Sequence, residues 1–275
     1  MVAVVARALA EDLLPLGDLT AGLVPHDSRG RFVLVTRVPG VLAGMACARQ
    51  TLAQVDPEID FVAHGFDGDH VGPATPLATL EGSLRGILSA ERTALNLLGH
   101  LSGVASLTRQ YVEAVEAVTR RTRILDTRKT TPGLRALEKA AVRAGGGLNH
   151  RGSLSEGVLV KDNHLAGVSI SEAVDRARSM WPGRMVEVEC DHLHQVTEAV
   201  EAGATMVLLD NMTPLEVTEC VAVVRSGSSP ALVEVSGGIS LDTVARYAAC
   251  EPDFISVGAL THSAPVLDIG LDRRV

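Results

Sequence analysis

The sequence predicts an α/β fold in two parts: a small N-terminal domain over residues 1–104, then a parallel, barrel-like sheet over residues 105–275. Three observations predict it. Beyond about residue 105, short apolar runs alternate with helix-like stretches at roughly 20–35 residues per unit, the spacing of βαβ units. Each run ends in a polar residue or a glycine that a buried strand would not choose for stability. Of 275 residues, 46% are hydrophobic and 21% charged, enough apolar material to bury a sizeable core.

Taken in order, the chain opens on an apolar stretch that Arg7, Glu11 and Asp12 interrupt before a secretory core could form. Residues 31–38 and 59–64 are apolar runs separated by turn-rich stretches at 27–30 and 66–69, and read as strands of a small mixed domain. From about 85 to 119 the spacing turns helical. Leu95, Leu98, Leu101 and Val104 fall on one side, with Gly99 and Gly103 as packing or bend points. Strands are then expected at 123–127, 157–161, 185–189, 206–210, 232–236 and 254–258. Helices are expected at 134–144, 171–180, 193–202, 214–225 and 241–249, most opened by a Ser, Thr or Pro suited to a helix start.

The charge excludes several functions. Lys+Arg 25 against Asp+Glu 33 gives −8, a field that repels nucleic acid and anionic membrane. At 3% aromatic residues, with Trp181 the single tryptophan, platforms for stacking bases are scarce. Cys47, Cys190, Cys220 and Cys250 show no CxxC spacing, which argues against a zinc site or a secreted disulfide framework and points to the cytoplasm. No run approaches the roughly 18 apolar residues of a membrane span.

Against that background, residues 120–161 carry ten Arg and Lys against three acids. Arg120, Arg121, Arg135, Lys139 and Arg143 read as a solvated helix face. Arg128 and Lys129 follow the first barrel strand, and Lys161, Glu189, Asp210, Ser236-Gly237-Gly238 and Gly258 end the later ones. In a β/α barrel such ends converge on one mouth, where the chemistry is done. Arginine forks grip planar carboxylates and lysine acts as a point charge, so this mixture, with Arg151, suits a ligand bearing both carboxylate and phosphate. The Ser236–Gly238 turn before a helix offers backbone N–H groups to a phosphate. Glu189 and Asp210 suit ribose hydroxyls or a water-bridged Mg²⁺, or simply pair with the cations nearby. His192 and His194 would diverge on a helix and read as solvated.

The motifs Gly17-Asp-Leu-Thr20, Glu91-Arg-Thr-Ala-Leu-Asn96, Asp126-Thr-Arg-Lys-Thr130, Gly145-Gly-Gly-Leu-Asn-His-Arg151, Lys161-Asp-Asn-His164, Glu187-Val-Glu189, Leu209-Asp-Asn211, Ser236-Gly-Gly238 and Val257-Gly-Ala-Leu-Thr-His-Ser263 together resemble the quinolinate phosphoribosyltransferase family. They run in the family's order over essentially the whole chain. The resemblance implies an incomplete, seven-stranded-type α/β barrel of the type II phosphoribosyltransferase kind behind the N-terminal domain, with the last residues packing back on that domain. It implies transfer of phosphoribosyl from phosphoribosyl pyrophosphate to quinolinate with decarboxylation, giving nicotinate mononucleotide for NAD biosynthesis, with Mg²⁺ as cofactor. It also implies a homodimer with shared sites, in which Arg92 reaches the neighbouring subunit's quinolinate. Arg128, Lys129, His150, Arg151 and Lys161 would line the quinolinate pocket. Lys129, Lys161, Glu189, Asp210, Ser236, Gly237, Gly238, Gly258 and His262 would hold phosphoribosyl pyrophosphate, with Lys161, Glu189 and Asp210 catalytic and Glu189 and Asp210 facing the metal through water.

The sequence departs from the family pattern at Arg151-Gly-Ser-Leu154, where Arg-x-Gly-Leu is usual, and at Thr20-Ala21. Neither change removes a charge. Two other readings compete: a Schiff-base aldolase using Lys161, and a repurposed homologue of the family's molybdenum-associated branch. The Arg-rich setting of Lys161 suits anion binding better than the first, and the set Arg92, Arg128, Lys129 and Arg151 weighs against the second.

Overall fold

The computed structural model describes residues 1–227 and 231–274. The chain divides into two compact units, each assembled from separate stretches. One holds Met1–Arg109, Thr130–Gly146 and the residues from Ser263 onward; the other holds Gln110–Lys129 and Gly147–His262. Residues 130–146, expected with the barrel, therefore belong to the first unit. A boundary read along the chain cannot register a segment that leaves one unit and returns.

In the first unit, α1 (Val2–Leu13) buries Val5 and Leu9, one turn apart on a single face. There follow β1 (Arg29–Thr36), β2 (Gly40–Val41), α2 (Met45–Val55), β3 (Asp60–Ala63), β4 (His70–Val71), β5 (Pro76–Ser83), α3 (Leu84–Glu116), whose residues up to Arg109 belong to this unit, and α4 (Arg135–Ala144). A four-stranded antiparallel sheet forms in the order C-terminal strand (Ile269–Arg274), β1, β5, β3. Phe32 stands opposite Leu80 and Leu34 opposite Leu271, so the core face is continuous across the sheet. Leu34, Leu42, Leu52, Leu77, Leu80, Ile87 and Leu98 form a buried cluster, each side chain contributing about 2 kcal/mol of transfer free energy. The sequence reading named β1, β3 and α3 but passed over α1, α2, β5 and the C-terminal strand. The small residues of β5 and the charges of the C-terminal strand carry little β signal.

The expected apolar side of α3 is buried at Leu95, Leu98, Leu101 and Val104. Its glycines admit the returning chain. A Cβ on Gly103 would stand 2.1 Å from the Pro265 carbonyl oxygen, and Leu267 N donates to Gly99 O at 3.0 Å. On α4, Glu138 is fully buried, 2.8 Å from His100 Nε2 and accepting from Thr131 N at 3.0 Å. Lys139, expected on a solvated face, is buried as well.

The second unit is a parallel sheet of β6 (Arg123–Leu125), β7 (Val158–Val160), β8 (Val186–Cys190), β9 (Met206–Asp210), β10 (Leu232–Ser236) and β11 (Phe254–Ser256), in the order β6-β11-β10-β9-β8-β7. The first strand pairs with the last, the closure expected of a barrel. A parallel bridge from Leu148 to Leu125 adds a seventh position on the far side of β6. Among the described residues nothing pairs that segment with β7, and the ring stays incomplete. Strands β9 and β10 match the sequence reading to the residue. β6, β7 and β11 stop early: Asp126-Thr127 and Lys161 leave the ladder after β6 and β7, and β11 ends before Val257-Gly258.

Helices α5 (Ile170–Met180), α6 (Leu193–Glu201), α7 (Pro214–Ser226) and α8 (Leu241–Ala248) fill the crossovers. Ser169 with Glu172 and Thr213 with Glu216 form capping boxes, each stabilising its helix start by about 1 kcal/mol. A short turn, α9 (Ala259–His262), follows β11. Among the described residues no helix is long and apolar enough to cross a membrane.

Candidate active site

The carboxyl ends of the barrel strands surround a cavity of about 490 Å³. Its lining includes Arg128, Lys129, His150, Arg151, Lys161, Glu189, Asp210, Ser236, Gly237 and Gly238, ten of the residues expected at the site. A hollow of similar size at the amino ends, about 520 Å³, is lined by Trp181, Met185, Met206 and Leu232 with Arg178 and Arg184. Among the described residues its lining has no carboxylate.

Strand geometry explains the convergence. On β8 successive side chains alternate in direction, so Val186, Val188 and Cys190 share one buried face and Glu187 and Glu189 the other. Lys161, just past β7, reaches Glu189 and forms an ion pair with it. A lysine paired with a carboxylate and 41% exposed lacks the desolvated setting that Schiff-base chemistry needs.

At the other side, Asp210 Oδ2 accepts from Asn211 Nδ2 at 2.6 Å, and Asn211 N donates to Ser236 O at 3.0 Å. Asn211 itself adopts φ 56°, a left-handed conformation that asparagine tolerates better than most residues. Gly237 (φ +95°) must be glycine, since a Cβ there would lie 2.3 Å from Asn211 Oδ1. The turn thus exposes backbone to the cavity while being locked to the end of β9. Gly258 and His262 lie outside the lining but beside it: a Cβ on Gly258 would stand 3.1 Å from both Lys129 Cδ and His262 Nε2. Thr261 Oγ1 donates to Lys129 O at 2.8 Å, fixing that backbone. Arg92 stands exposed on α3 in the first unit and is not part of the lining.

Asp126, wholly buried after β6, accepts from Asn149 Nδ2 at 2.6 Å and from the His150 backbone N at 2.9 Å. These bonds set the entry of the His150-Arg151 segment. Arg151 Nη1 donates to Gly157 O at 2.9 Å, and Gly152 N to Glu156 Oε2 at 2.6 Å, so the departing sequence after Arg151 still closes into an ordered loop. Burial and the Arg128 charge lower the pKa of Arg151, while the Glu187 charge opposes them.

Two acids that the sequence reading gave no role sit against the cavity. His150 Nε2 is 2.9 Å from Glu187 Oε2 and 3.4 Å from Glu234 Oε2, and both carboxyls are buried to 1% exposure or less. Burial, followed by the Glu187 charge, pushes the Glu234 carboxyl well above the usual range. Burial alone would depress His150, but its Glu187 hydrogen bond and the two acid charges outweigh that and raise it. Period-2 spacing is the signal that could have found them, since Glu187 precedes Glu189 by two and Glu234 precedes Ser236 by two.

Among the described residues, His150, Glu187 and Glu234 form the one group of three metal-capable side chains, with ligand atoms within 4.8 Å of one another. Glu189 and Asp210 belong to no such cluster. Two carboxylates at one cavity fit Mg²⁺ that keeps its waters and ligand phosphates, not an all-protein cage. His192 and His194, expected to diverge, stack with ring centroids 5.7 Å apart, because His192 is the N-cap of α6 rather than a helical residue; both are solvated.

An incomplete α/β barrel with a cationic cavity and a glycine turn at its mouth defines a phosphoribosyltransferase of the barrel type. The more particular assignment comes from comparison with known proteins. The family model described as quinolinate phosphoribosyl transferase, C-terminal domain, matches residues 104–272, and that for the N-terminal domain matches residues 18–102. The chain belongs to the quinolinate phosphoribosyltransferase family. It is 42% identical over 278 residues to the carboxylating nicotinate-nucleotide pyrophosphorylase of Mycobacterium leprae, covering 98% of this chain and 95% of that one. Among solved structures, the nicotinate-nucleotide pyrophosphorylase from Francisella tularensis superposes with TM-score 0.94 at 35% identity, covering 99% of this chain and 95% of its own. That from Ehrlichia chaffeensis gives 0.93 at 36% identity over 99% and 98%.

Proposed function

We propose that the protein transfers the phosphoribosyl group of phosphoribosyl pyrophosphate to the ring nitrogen of quinolinate and releases pyrophosphate and CO₂, giving nicotinate mononucleotide for NAD biosynthesis. The observation that carries this reading is one cavity holding both halves of the required chemistry. Arg128, Lys129, His150, Arg151 and Lys161 supply a cationic wall for two carboxylates, and Ser236–Gly238 supplies backbone for a phosphate.

The wall would orient quinolinate so that its nitrogen faces C1 of the ribose, and orientation of this kind lowers a barrier by several kcal/mol. As the C1–O bond to pyrophosphate lengthens, positive charge grows on the ribose, where Glu189 and Asp210 would stabilise it. Lys161, released from Glu189, would neutralise the departing pyrophosphate. Lys129, Gly258 and His262 would bound the phosphate side. The electron pair of the ring nitrogen forms the new C1–N bond, leaving a cationic ring. The adjacent C2–carboxylate bond then breaks, CO₂ leaves, the ring takes the electron pair, and a proton replaces the carboxylate. Glu189 and Asp210 would hold Mg²⁺ through its waters, and that ion when bound supplies charge neutralisation on the pyrophosphate.

A homodimer with shared sites is part of the proposal. It is supported by the exposure of Arg92 and by Leu14, Leu16, Leu19 and Leu23, each at least 70% exposed in the first unit. A cytoplasmic enzyme accords with four reduced cysteines, three of them buried. The test is to incubate purified protein with quinolinate, phosphoribosyl pyrophosphate and Mg²⁺ and follow the mononucleotide and CO₂. Product is expected in the complete mixture, and its absence when any one component is omitted. Failure of the complete mixture overturns the reading.

A further inference from the structure

Two fully buried carboxyls beneath a cavity built for anions need an explanation, because negative charge there opposes the ligand the cavity attracts. Glu187 on β8 and Glu234 on β10 share the barrel interior and converge on one atom, His150 Nε2, at 2.9 and 3.4 Å. Glu187 Oε1 has no hydrogen-bond partner, and Glu234 Oε2 meets His150 at ion-pair distance without a hydrogen bond. A ring nitrogen 2.9 Å from a carboxylate oxygen of Glu187 carries a hydrogen, since an acceptor lone pair there would meet only other lone pairs. Nε2 is therefore spoken for, and any hydrogen bond from the ring to a ligand is made through Nδ1. Donation by both nitrogens at once requires the imidazolium.

We propose that Glu187 and Glu234 are positioning residues that hold His150 by Nε2 as a doubly protonated ring, so that His150 adds a fixed positive charge to the pocket for the quinolinate carboxylates. This rests on the quinolinate reading above and deepens it. Glu187 is then the counter-ion to His150 rather than a barrier to the substrate, and Glu234, which keeps its proton more readily, packs beside the ring without a full charge. His150 needs such support because burial first, and then the Arg151 charge, disfavour its cation.

Charges of both signs face the ring. Glu187 faces it from β8 and Glu234 from β10, Asp126 after β6 holds its backbone N, and Arg151 adjoins it along the chain. The Glu187 hydrogen bond and the Glu234 and Glu187 charges favour the charged ring, and the Arg151 charge opposes it. Glu234 in turn retains its own proton more readily than a solvated carboxyl, through burial and then the Glu187 charge, so the interior does not carry two full negative charges. The raised pKa of His150 means that its charge is present at low pH and lost as pH climbs through the folded value. The KM for quinolinate is expected to rise over that interval, and the KM for phosphoribosyl pyrophosphate much less.

The experiment uses the whole protein labelled with ¹⁵N-histidine, the His150 signal being assigned by its loss in His150→Asn. Both ring nitrogens of His150 are expected to be protonated at neutral pH in the wild type, and one only in Glu187→Gln. Glu187→Gln is expected to raise the KM for quinolinate about tenfold or more, the cost of a charge-assisted bond, and Glu234→Gln by less, with that for phosphoribosyl pyrophosphate raised no more than about twofold in either. Equal rises in both constants overturn the proposal, as does a singly protonated His150 in the wild type. Should the glutamine variants fail to fold, the wild-type spectrum decides by itself. Absence of quinolinate turnover in the wild type removes the functional reading and this inference with it, whereas wild-type turnover with unselective variants removes the inference alone.

Discussion

Gly237 and Asn211 show how closely single side chains are specified at the barrel mouth. Asn211 uses its amide on Asp210, its backbone N on Ser236 and its Oδ1 surface against Gly237, all from a left-handed backbone. Gly237→Ala meets two penalties together: a methyl group 2.3 Å from Asn211 Oδ1 and a Cβ at φ +95°. The variant is expected to fold with a loss of about 1–3 kcal/mol. Its KM for phosphoribosyl pyrophosphate should rise at least about tenfold, as expected when one or two phosphate hydrogen bonds are misplaced. Steady-state kinetics with each substrate varied in turn checks this, and an unchanged KM for phosphoribosyl pyrophosphate would remove the turn from the phosphate site.

Among the elements, α4 illustrates a structural rather than chemical use of charge. Glu138 is fully buried and satisfied by His100 and the Thr131 backbone. Burial raises its pKa, yet the bonds from His100 and Thr131 outweigh burial and the net shift is downward. A carboxylate with a lowered folded pKa stabilises the fold above its unfolded pKa, and that contribution fades as pH falls through the folded value. Glu138→Gln is therefore expected to cost about 2–3 kcal/mol at neutral pH in denaturant unfolding. The gap to wild type should narrow on acidification below the ordinary carboxylate range; a gap independent of pH would contradict the assignment. None of this was legible in the sequence, where Glu138 and Lys139 look like any polar helix pair.

The barrel elements were far more legible. Strands β9 and β10 are short β-branched or leucine-rich runs with polar ends, a pattern that alternation with helices converts into a ring mouth, and so Asp210 and Ser236 could be placed before any coordinates. Glu187 and Glu234 escaped because they interrupt apolar runs from inside, and a run-based reading averages over a single inward acid. The His100–Glu138 and His150–Glu187 contacts escaped because their partners lie 38 and 37 residues apart. Local periodicity carries no information at that range.

At the scale of the whole molecule, the chain is net negative while its cavity wall is cationic, so the barrel mouth is a locally attractive region for an anionic substrate. The proposed dimer adds Arg92 of a second copy to that wall. Arg92→Ala and Lys161→Ala are each expected to be inactive alone, since one lacks the donated arginine and the other the residue paired with Glu189. Mixed under conditions that exchange subunits, they should recover up to about a quarter of wild-type activity per site, because random pairing leaves some sites with both residues intact. No recovery in demonstrated heterodimers would show that Arg92 does not act across subunits.

The most direct test of the central claim is discrimination between quinolinate and nicotinate, which differ by the one carboxylate that the cationic wall is built to hold. A site whose buried charges are left unmatched rejects the lesser ligand by about 10⁴-fold in kcat/KM. Quinolinate is expected to be favoured by at least about 10³-fold on that ground. Comparable kcat/KM for the two acids would contradict the account, because Arg128, His150 and Arg151 would then have no second carboxylate to bind.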